Sequence, residues 1–218
     1  MNHTELAQKF FTEVIDGWML GDLENMVTKI PPVKGRAGNC NFPIALYIFS
    51  CIEFLGFLTS NAIIADAEDC CTKKRIWSYI NSYLDDNYIS QLKPYENDFV
   101  NIFRHGLAHE FFAKAAGVSR GESLLVFYDA ELKSLVLDAD KFCEAFKSST
   151  ENLKKAISQN SDRIADKMLS RYNVLQASNI IKFLPKNIPT STRTSSSNAS
   201  IAEPIEKTTT TFPYDPEK

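Results

Sequence analysis

One apolar segment, Phe42 to Leu58 (FPIALYIFSCIEFLGFL), constrains the fold of this 218-residue chain more than any other feature. The segment is short for a membrane span, which needs about 20 apolar residues. It also contains Glu53, a charge that would be costly against lipid. A helix that is apolar on every side is typical of the interior of a folded domain. We therefore expect a buried core helix, beginning near Asn41 with Pro43 in its first turn, and no membrane contact.

Amphipathic segments on both sides of this core segment predict further helices and hence a mainly α fold. Thr4 is a suitable N-cap for the first helix, and Gly21 and the Pro31-Pro32 pair are expected to interrupt it. A third helix is expected from Cys71 to Leu84. The residues expected to face inward are Leu6, Phe10, Phe11, Val14, Ile15 and Trp18 in the first helix and Ile76, Trp77, Ile80 and Tyr83 in the third.

The helix expected after Pro94 carries the most regular apolar stripe of the chain, and Gly117 is expected to end it. Gly106 lies within the stripe, where a glycine costs roughly 1 kcal/mol relative to alanine. This glycine therefore either weakens the helix locally or allows another segment of backbone to come close. The stripe consists of apolar residues at every fourth position, namely Phe99, Phe103, Leu107 and Phe111.

The pattern becomes β-prone in the next part of the chain. The runs Ser123–Tyr128 (SLLVFY) and Ser134–Leu137 (SLVL) predict a small β-hairpin at about residues 123–137, inserted into the helical bundle. Asp138 or Asp140 is then expected to cap one long amphipathic helix, or two helices in series. The apolar residues of this C-terminal helix are Phe142, Phe146, Leu153, Ile157, Ile164 and Met168.

Together these elements predict one helical domain over residues 1–180. From residue 185 to residue 218 the chain is rich in serine and threonine and poor in aromatic residues. Such a composition buries too little apolar surface to fold, so we expect a disordered tail there.

Charge and cysteine content exclude several classes of function. The formal charge of −3 gives no general attraction to nucleic acid, so any nucleic-acid contact must be local. The five cysteines contain no C-x-x-C pair, which argues against both a disulfide framework and a structural zinc site. Glu5 and Lys9 stand where a secretory signal would be apolar. We expect a cytoplasmic protein without a metal or cofactor.

The segment Arg104 to His109 (RHGLAH) holds the residues best suited to chemistry, because it places two of the three histidines beside an arginine. Histidine can move a proton near neutral pH, and arginine stays charged and matches the geometry of a phosphate. Together they suit the cleavage of RNA by its own 2′-hydroxyl. One imidazole would take the hydroxyl proton, and the guanidinium would stabilise the crowded phosphate without any metal.

Helical geometry raises a difficulty for this site. In an unbroken α-helix, residues five apart differ by about 140°, so Arg104 and His109 would point to different sides. A local break at Gly106, or a second copy of the chain, would bring such groups together. His105 and His109 are one turn apart and share a face.

These residues resemble the HEPN superfamily of nucleotide-binding proteins and ribonucleases. The family motif is an arginine, four to six residues and a histidine, often with a polar residue directly after the arginine. Here Arg104 matches the arginine, His105 the polar follower and His109 the histidine, and Asn101 and Glu110 bound the similar segment as supporting residues. The resemblance covers about residues 42–117.

The resemblance implies a HEPN-like helical bundle and a metal-independent endoribonuclease, with a catalytic site formed where the motif helices of a homodimer pack together. It also implies a role as a toxin or in antiphage defence, with an inhibitor or antitoxin protein as a partner. Some family members bind without cutting, so the alternative is a non-catalytic module that binds RNA, a nucleotide or another protein. A plain helical scaffold with structural histidines is the third alternative.

Other interpretations of the same residues stay open at this stage. Arg104 could form an ordinary ion pair with Asp98 or Glu110. Glu53 is either a buried carboxylate satisfied by a partner, for which Arg104 is a candidate, or a supporting residue of the site. His105 and His109 could bind a metal, but Gly106 stands where the glutamate of an H-E-x-x-H motif would be, and a third ligand is not evident.

Overall fold

The computed structural model describes residues 3–33, 39–61, 71–159 and 163–173, and within them the fold is mainly helical with one small sheet. Several segments follow one another without a break, notably the three that run from residue 3 to residue 29. The helical elements are α1 (His3–Phe10), π1 (Phe11–Leu20), α2 (Gly21–Lys29), α3 (Asn41–Thr59), α4 (Cys71–Tyr83), α5 (Asp86–Leu92), a 3₁₀ turn (Lys93–Tyr95), π2 (Val100–Glu110), α6 (Ala139–Gln159) and α7 (163–173). The strands are β1 (Ala116–Ser119), β2 (Val126–Asp129) and β3 (Ser134–Asp138).

Helix α3 lies at the centre of the core, as its uniformly apolar sequence predicts. It packs against α4, α6 and π2, and its residues Ile44, Ile48, Ile52 and Leu55 are fully buried. Among the described helices, its length and composition would also suit a membrane span, and half of that apolar stretch is buried inside the domain. Its role in this structure is that of a core helix.

The N-terminal helical run differs from the prediction at two points. Gly21 does not interrupt it but continues it, with ordinary helical backbone angles (φ −63°, ψ −46°), and the run ends just before Pro31. Trp18 does not face inward and is 65% exposed. The physical reason is that the segment from Phe11 onward is a π-helix, whose wider turn changes which residues face the core. The core residues Phe10, Phe11, Val14 and Ile15 are buried as expected.

The motif helix π2 is also shorter than predicted. It ends at Glu110, where Phe111 adopts left-handed backbone angles (φ 65°), and Gly117 lies in strand β1 instead of ending the helix. Phe99, Phe103 and Leu107 are buried as the stripe predicts, whereas Phe111 is 66% exposed. The helix therefore ends one residue before Phe111, the predicted fourth member of the stripe, and the buried part of the stripe ends at Leu107.

The predicted hairpin is present as strands β2 and β3, which pair antiparallel from Val126 opposite Leu137 to Asp129 opposite Ser134. The Asp129 carboxylate accepts two backbone hydrogen bonds in the turn, each of 2.9 Å. Strand β1 was not predicted. It pairs parallel to β3, so the sheet order is β1-β3-β2.

Asp138 is the residue that caps helix α6. Its Oδ1 accepts a hydrogen bond of 2.8 Å from the Lys141 backbone N–H, while its Oδ2 accepts from Ser119 Oγ and the Glu122 N–H. Asp140 instead pairs with the buried Arg120. The C-terminal helical pattern appears as α6 and α7, with residues 160–162 outside the description. The predicted tail, residues 185–218, also lies outside the described residues.

Candidate functional site

Helix π2 places His105 and His109 toward solvent, while the Arg104 guanidinium turns toward helix α3. Arg104 and His105 are half-buried and His109 is exposed, while Phe103 and Leu107 on the opposite side enter the core. In a π-helix each N–H bonds to the carbonyl five residues back, so side chains five apart follow one another along one face. The wider π turn therefore reduces the angle between the positions of Arg104 and His109 below the 140° of an α-helix.

Arg104 is held by Glu53 of the core helix α3, as one of the sequence-based alternatives proposed. Its Nε and Nη2 donate hydrogen bonds of 3.1 and 2.8 Å to Glu53 Oε2. The other oxygen, Oε1, accepts a hydrogen bond of 2.6 Å from Thr72 Oγ1 at the start of α4. Both partners are largely buried, with side-chain exposures of 21% and 18%. The third guanidinium nitrogen, Nη1, makes no hydrogen bond within the described part of the chain.

The two imidazoles lie side by side on the helix surface. The rings of His105 and His109 stack with their centroids 5.8 Å apart and their planes 15° from parallel. Partial burial lowers the pKa of His105, and the nearby positive charges of Arg104 and His109 lower it further, while Glu53 opposes them. The lowered pKa favours the neutral form of the His105 ring, which is the form that can accept a proton.

Gly106 allows the chain that follows the helix to fold back onto it. A β-carbon at this position would lie 2.6 Å from the Phe112 carbonyl oxygen and 2.8 Å from the Lys114 nitrogen. The Lys114 N–H donates a hydrogen bond of 3.0 Å to the Ile102 carbonyl. Of the two roles predicted for this glycine, close approach of another backbone segment is confirmed.

The remaining sequence-predicted residues have lesser roles in the observed geometry. Asn101 is exposed at the start of the same helix face. Glu110 is exposed and pairs with Lys114 at 3.2 Å, so neither it nor Asp98 is the ion-pair partner of Arg104. The expected alternative of a pair with Asp98 or Glu110 was wrong because the guanidinium turns inward, toward α3.

Among the described residues, the structure places no third metal-binding side chain beside His105 and His109. Within residues 3–33, 39–61, 71–159 and 163–173, no group of three or more histidine, cysteine or acidic side chains is close enough to hold an ion. His105 and His109 thus stand as a pair of imidazoles next to a guanidinium, a set better suited to proton transfer and anion contact than to metal binding.

Sequence reasoning missed three groups beside the motif. Thr72 orients Glu53, and Lys114 brings a second fixed positive charge near His105. Phe111 and Phe112 follow the motif directly and are both exposed, in contact with Phe42. The adjacent phenylalanines were visible in the sequence, but the apolar stripe assigned Phe111 to the core.

Comparison with known proteins adds no relative to this picture: no protein-family model, no curated protein and no solved structure matches the chain.

Proposed function

We propose that this protein is a metal-independent endoribonuclease of the HEPN type that acts as a homodimer. The observation that supports the proposal best is the stacked pair of His105 and His109 on a π-helix, directly beside Arg104, whose guanidinium is fixed by Glu53. A fixed cation next to titratable rings is what a phosphodiester transfer requires of its catalyst.

The proposed reaction begins with removal of the proton from an RNA 2′-hydroxyl. The 2′-oxygen then attacks the adjacent phosphorus, the bond to the 5′-oxygen breaks, and that oxygen leaves with a proton from a protonated imidazole. The products are a 2′,3′-cyclic phosphate and a 5′-hydroxyl. The lowered pKa of His105 suits it to accept the first proton, His109 would serve as the partner acid or base, and Arg104 Nη1 would bind the phosphate.

The geometry of the transfer favours a second copy of the chain. The attacking and leaving oxygens of a phosphoryl transfer lie roughly in line on opposite sides of phosphorus, so the base and the acid belong on opposite sides too. The two rings of one helix stack side by side at 5.8 Å. A partner protomer facing this helix would supply the second side, and an inhibitor protein covering the same face would block it.

The experiment that tests catalysis uses purified full-length protein with structured and unstructured RNA in the presence of EDTA. The wild type should yield 5′-hydroxyl and 2′,3′-cyclic phosphate ends, and the double variant Arg104→Ala, His109→Ala should yield none. Arg163→Ala, which removes an exposed arginine from α7, is the matched control and should cut like the wild type. Equal products from the wild type and the double variant would contradict the catalytic proposal.

A second candidate is a non-catalytic module in which the motif binds RNA or a nucleotide or holds a dimer together. The observation that favours it is the Arg104–Glu53 pair, which already uses two of the three guanidinium nitrogens. This candidate predicts RNA or nucleotide binding without turnover, or a dimer that dissociates in Arg104→Ala. Size-exclusion chromatography with multi-angle scattering tests both candidates, because a monomer at high concentration would contradict each of them.

A further inference from the structure

Three aromatic rings form an exposed cluster directly after the motif helix. Phe42, at the start of α3, contacts Phe111 and Phe112 with ring centroids 6.1 and 5.6 Å apart, and the last two lie 5.4 Å from each other. All three pairs are nearly perpendicular, at 81° to 88°. Phe111 and Phe112 remain 66% and 60% exposed, so this aromatic cluster presents much of its aromatic surface to solvent.

A groove of about 570 Å³ opens beside the aromatic cluster, and its lining includes Phe42, Phe111, Ile30 and Asn39. This volume is within the range of ordinary small-molecule sites. Its wall includes Asn41, whose Nδ2 donates a hydrogen bond of 2.9 Å to the Val118 carbonyl oxygen. The Oδ1 of the same amide is buried and has no hydrogen-bond partner among the described residues. A buried acceptor of this kind is costly unless a donor reaches it. The exposed phenylalanine rings next to it favour a ligand with flat, apolar faces.

The aromatic cluster lies in line with the proposed catalytic face. Helices α3 and π2 run antiparallel, since Arg104 meets Glu53 near one end and Phe111 meets Phe42 near the other. The two contacts are eleven residues apart on α3, which is about 16 Å at 1.5 Å per residue. His109 lies between them along π2, only two residues before the cluster. A single strand whose phosphate sits at the motif could reach the groove within a few nucleotides.

We propose that the aromatic cluster and its groove bind an unpaired nucleobase of a single-stranded RNA whose phosphate occupies the motif face, a proposal that rests on the function proposed above. The base stacks on the exposed phenylalanine rings, and an N–H group at its edge donates to Asn41 Oδ1. A nucleobase has both properties at once, because it has two apolar faces and a polar rim. Stacking of this kind is sequence-tolerant and compensates for the acidic overall charge, which leaves little electrostatic affinity for RNA.

The test measures binding by fluorescence anisotropy with labelled 2′-O-methyl decamers, which lack the hydroxyl needed for cleavage. Full-length wild type should bind the adenine and cytosine decamers about 5- to 100-fold more tightly than an abasic decamer with the same backbone. The double variant Phe111→Leu, Phe112→Leu should lose this preference, and Phe111→Tyr, Phe112→Tyr should keep it. Leu132→Ala removes another exposed apolar side chain, 69% exposed in the hairpin turn, and should behave like the wild type.

Three results would overturn the proposal. The first is equal affinity of the wild type for base-bearing and abasic decamers, or no binding at all. The second is a leucine double variant that binds like the wild type. The third is a leucine double variant that changes from dimer to monomer in size-exclusion chromatography, which would assign the cluster to an interface between copies. Cleavage in EDTA is measured separately, so a base preference without cleavage would contradict the nuclease alone, and cleavage without a base preference would contradict the groove alone.

Discussion

Gly106→Ala is the substitution that most directly tests how the motif helix is built. The added β-carbon would meet the backbone at 2.6 Å (Phe112 oxygen) and 2.8 Å (Lys114 nitrogen), distances that backbone atoms cannot relieve by rotating a side chain. Overpacking of this kind costs about 1–3 kcal/mol. Separating the segments also breaks the hydrogen bond from Lys114 to Ile102, worth about 1 kcal/mol. Alanine regains about 1 kcal/mol of helix propensity, so the net loss of unfolding free energy is about 1–3 kcal/mol.

Gly21→Ala is the matched control because Gly21 also lies in a helical run but has space around it. There the nearest atom to an added β-carbon is the Asp16 carbonyl oxygen at 3.7 Å, an ordinary contact. This variant should gain about 0.4–1 kcal/mol, chiefly from the lost freedom of the unfolded chain. Urea unfolding followed by far-ultraviolet circular dichroism measures both free energies on the full-length chain. If Gly106→Ala proved as stable as Gly21→Ala, the close backbone approach over the motif helix would be refuted.

Three further variants test the core, the helix cap and the electrostatics of the motif. In Gly56→Ala the added β-carbon would lie 2.2 Å from the Arg75 carbonyl oxygen, so the free energy of unfolding should fall by about 3 kcal/mol. A urea midpoint equal to that of the wild type would contradict the tight contact between α3 and α4. Asp138→Ala leaves three hydrogen-bond donors without their acceptor, so the free energy of unfolding should fall by about 3 kcal/mol in the same measurement. A fall of less than about 1 kcal/mol would contradict the role of Asp138 as the helix cap. The pKa of His105, read by NMR titration, should lie below its ordinary value and fall further in Glu53→Gln, because Glu53 raises it; a rise would reverse the assigned sign. Since the folded-state pKa is the lower one, this histidine favours folding above its unfolded pKa, and the contribution disappears as the pH falls through the folded value.

The parts of the fold that the sequence predicts are those in which one local pattern decides the outcome. Helix α3 is apolar on all sides, so its burial could be predicted. Asp138 directly precedes the amphipathic segment that forms α6, and its carboxylate caps that helix. The β2–β3 hairpin follows from two β-prone runs with Asp129 at the turn. For the same reason the Arg104–Glu53 pair was foreseeable, because a carboxylate inside a core helix needs a cation.

The parts that the sequence does not predict depend on contacts between distant segments. Strand β1 has only four residues (AGVS) and forms by parallel pairing with β3, so no local alternation marks it. The π conformation shifts the phase of two helices, which exposes Trp18 and reduces the angle between the positions of Arg104 and His109. Phe111 is exposed because the backbone folding over Gly106 ends the helix, and nothing in the spacing of the stripe signals that event.

The salt dependence of RNA binding gives a last test, because it separates a local site from a broad basic surface. Two fixed cations, Arg104 and Lys114, lie near His105, and the chain as a whole is acidic. With about 0.7 of a logarithmic unit per phosphate contacted on a single strand, two contacts give a slope of about −1.4, so affinity should fall only about sevenfold from 50 to 200 mM salt. Lys114→Met should reduce the slope by about 0.7 and leave the preference for base-bearing decamers unchanged. A hundredfold drop in the wild type would require several more phosphate contacts than these two cations provide. Binding would then depend on a surface other than the motif face, and the argument that stacking supplies the missing affinity would fail.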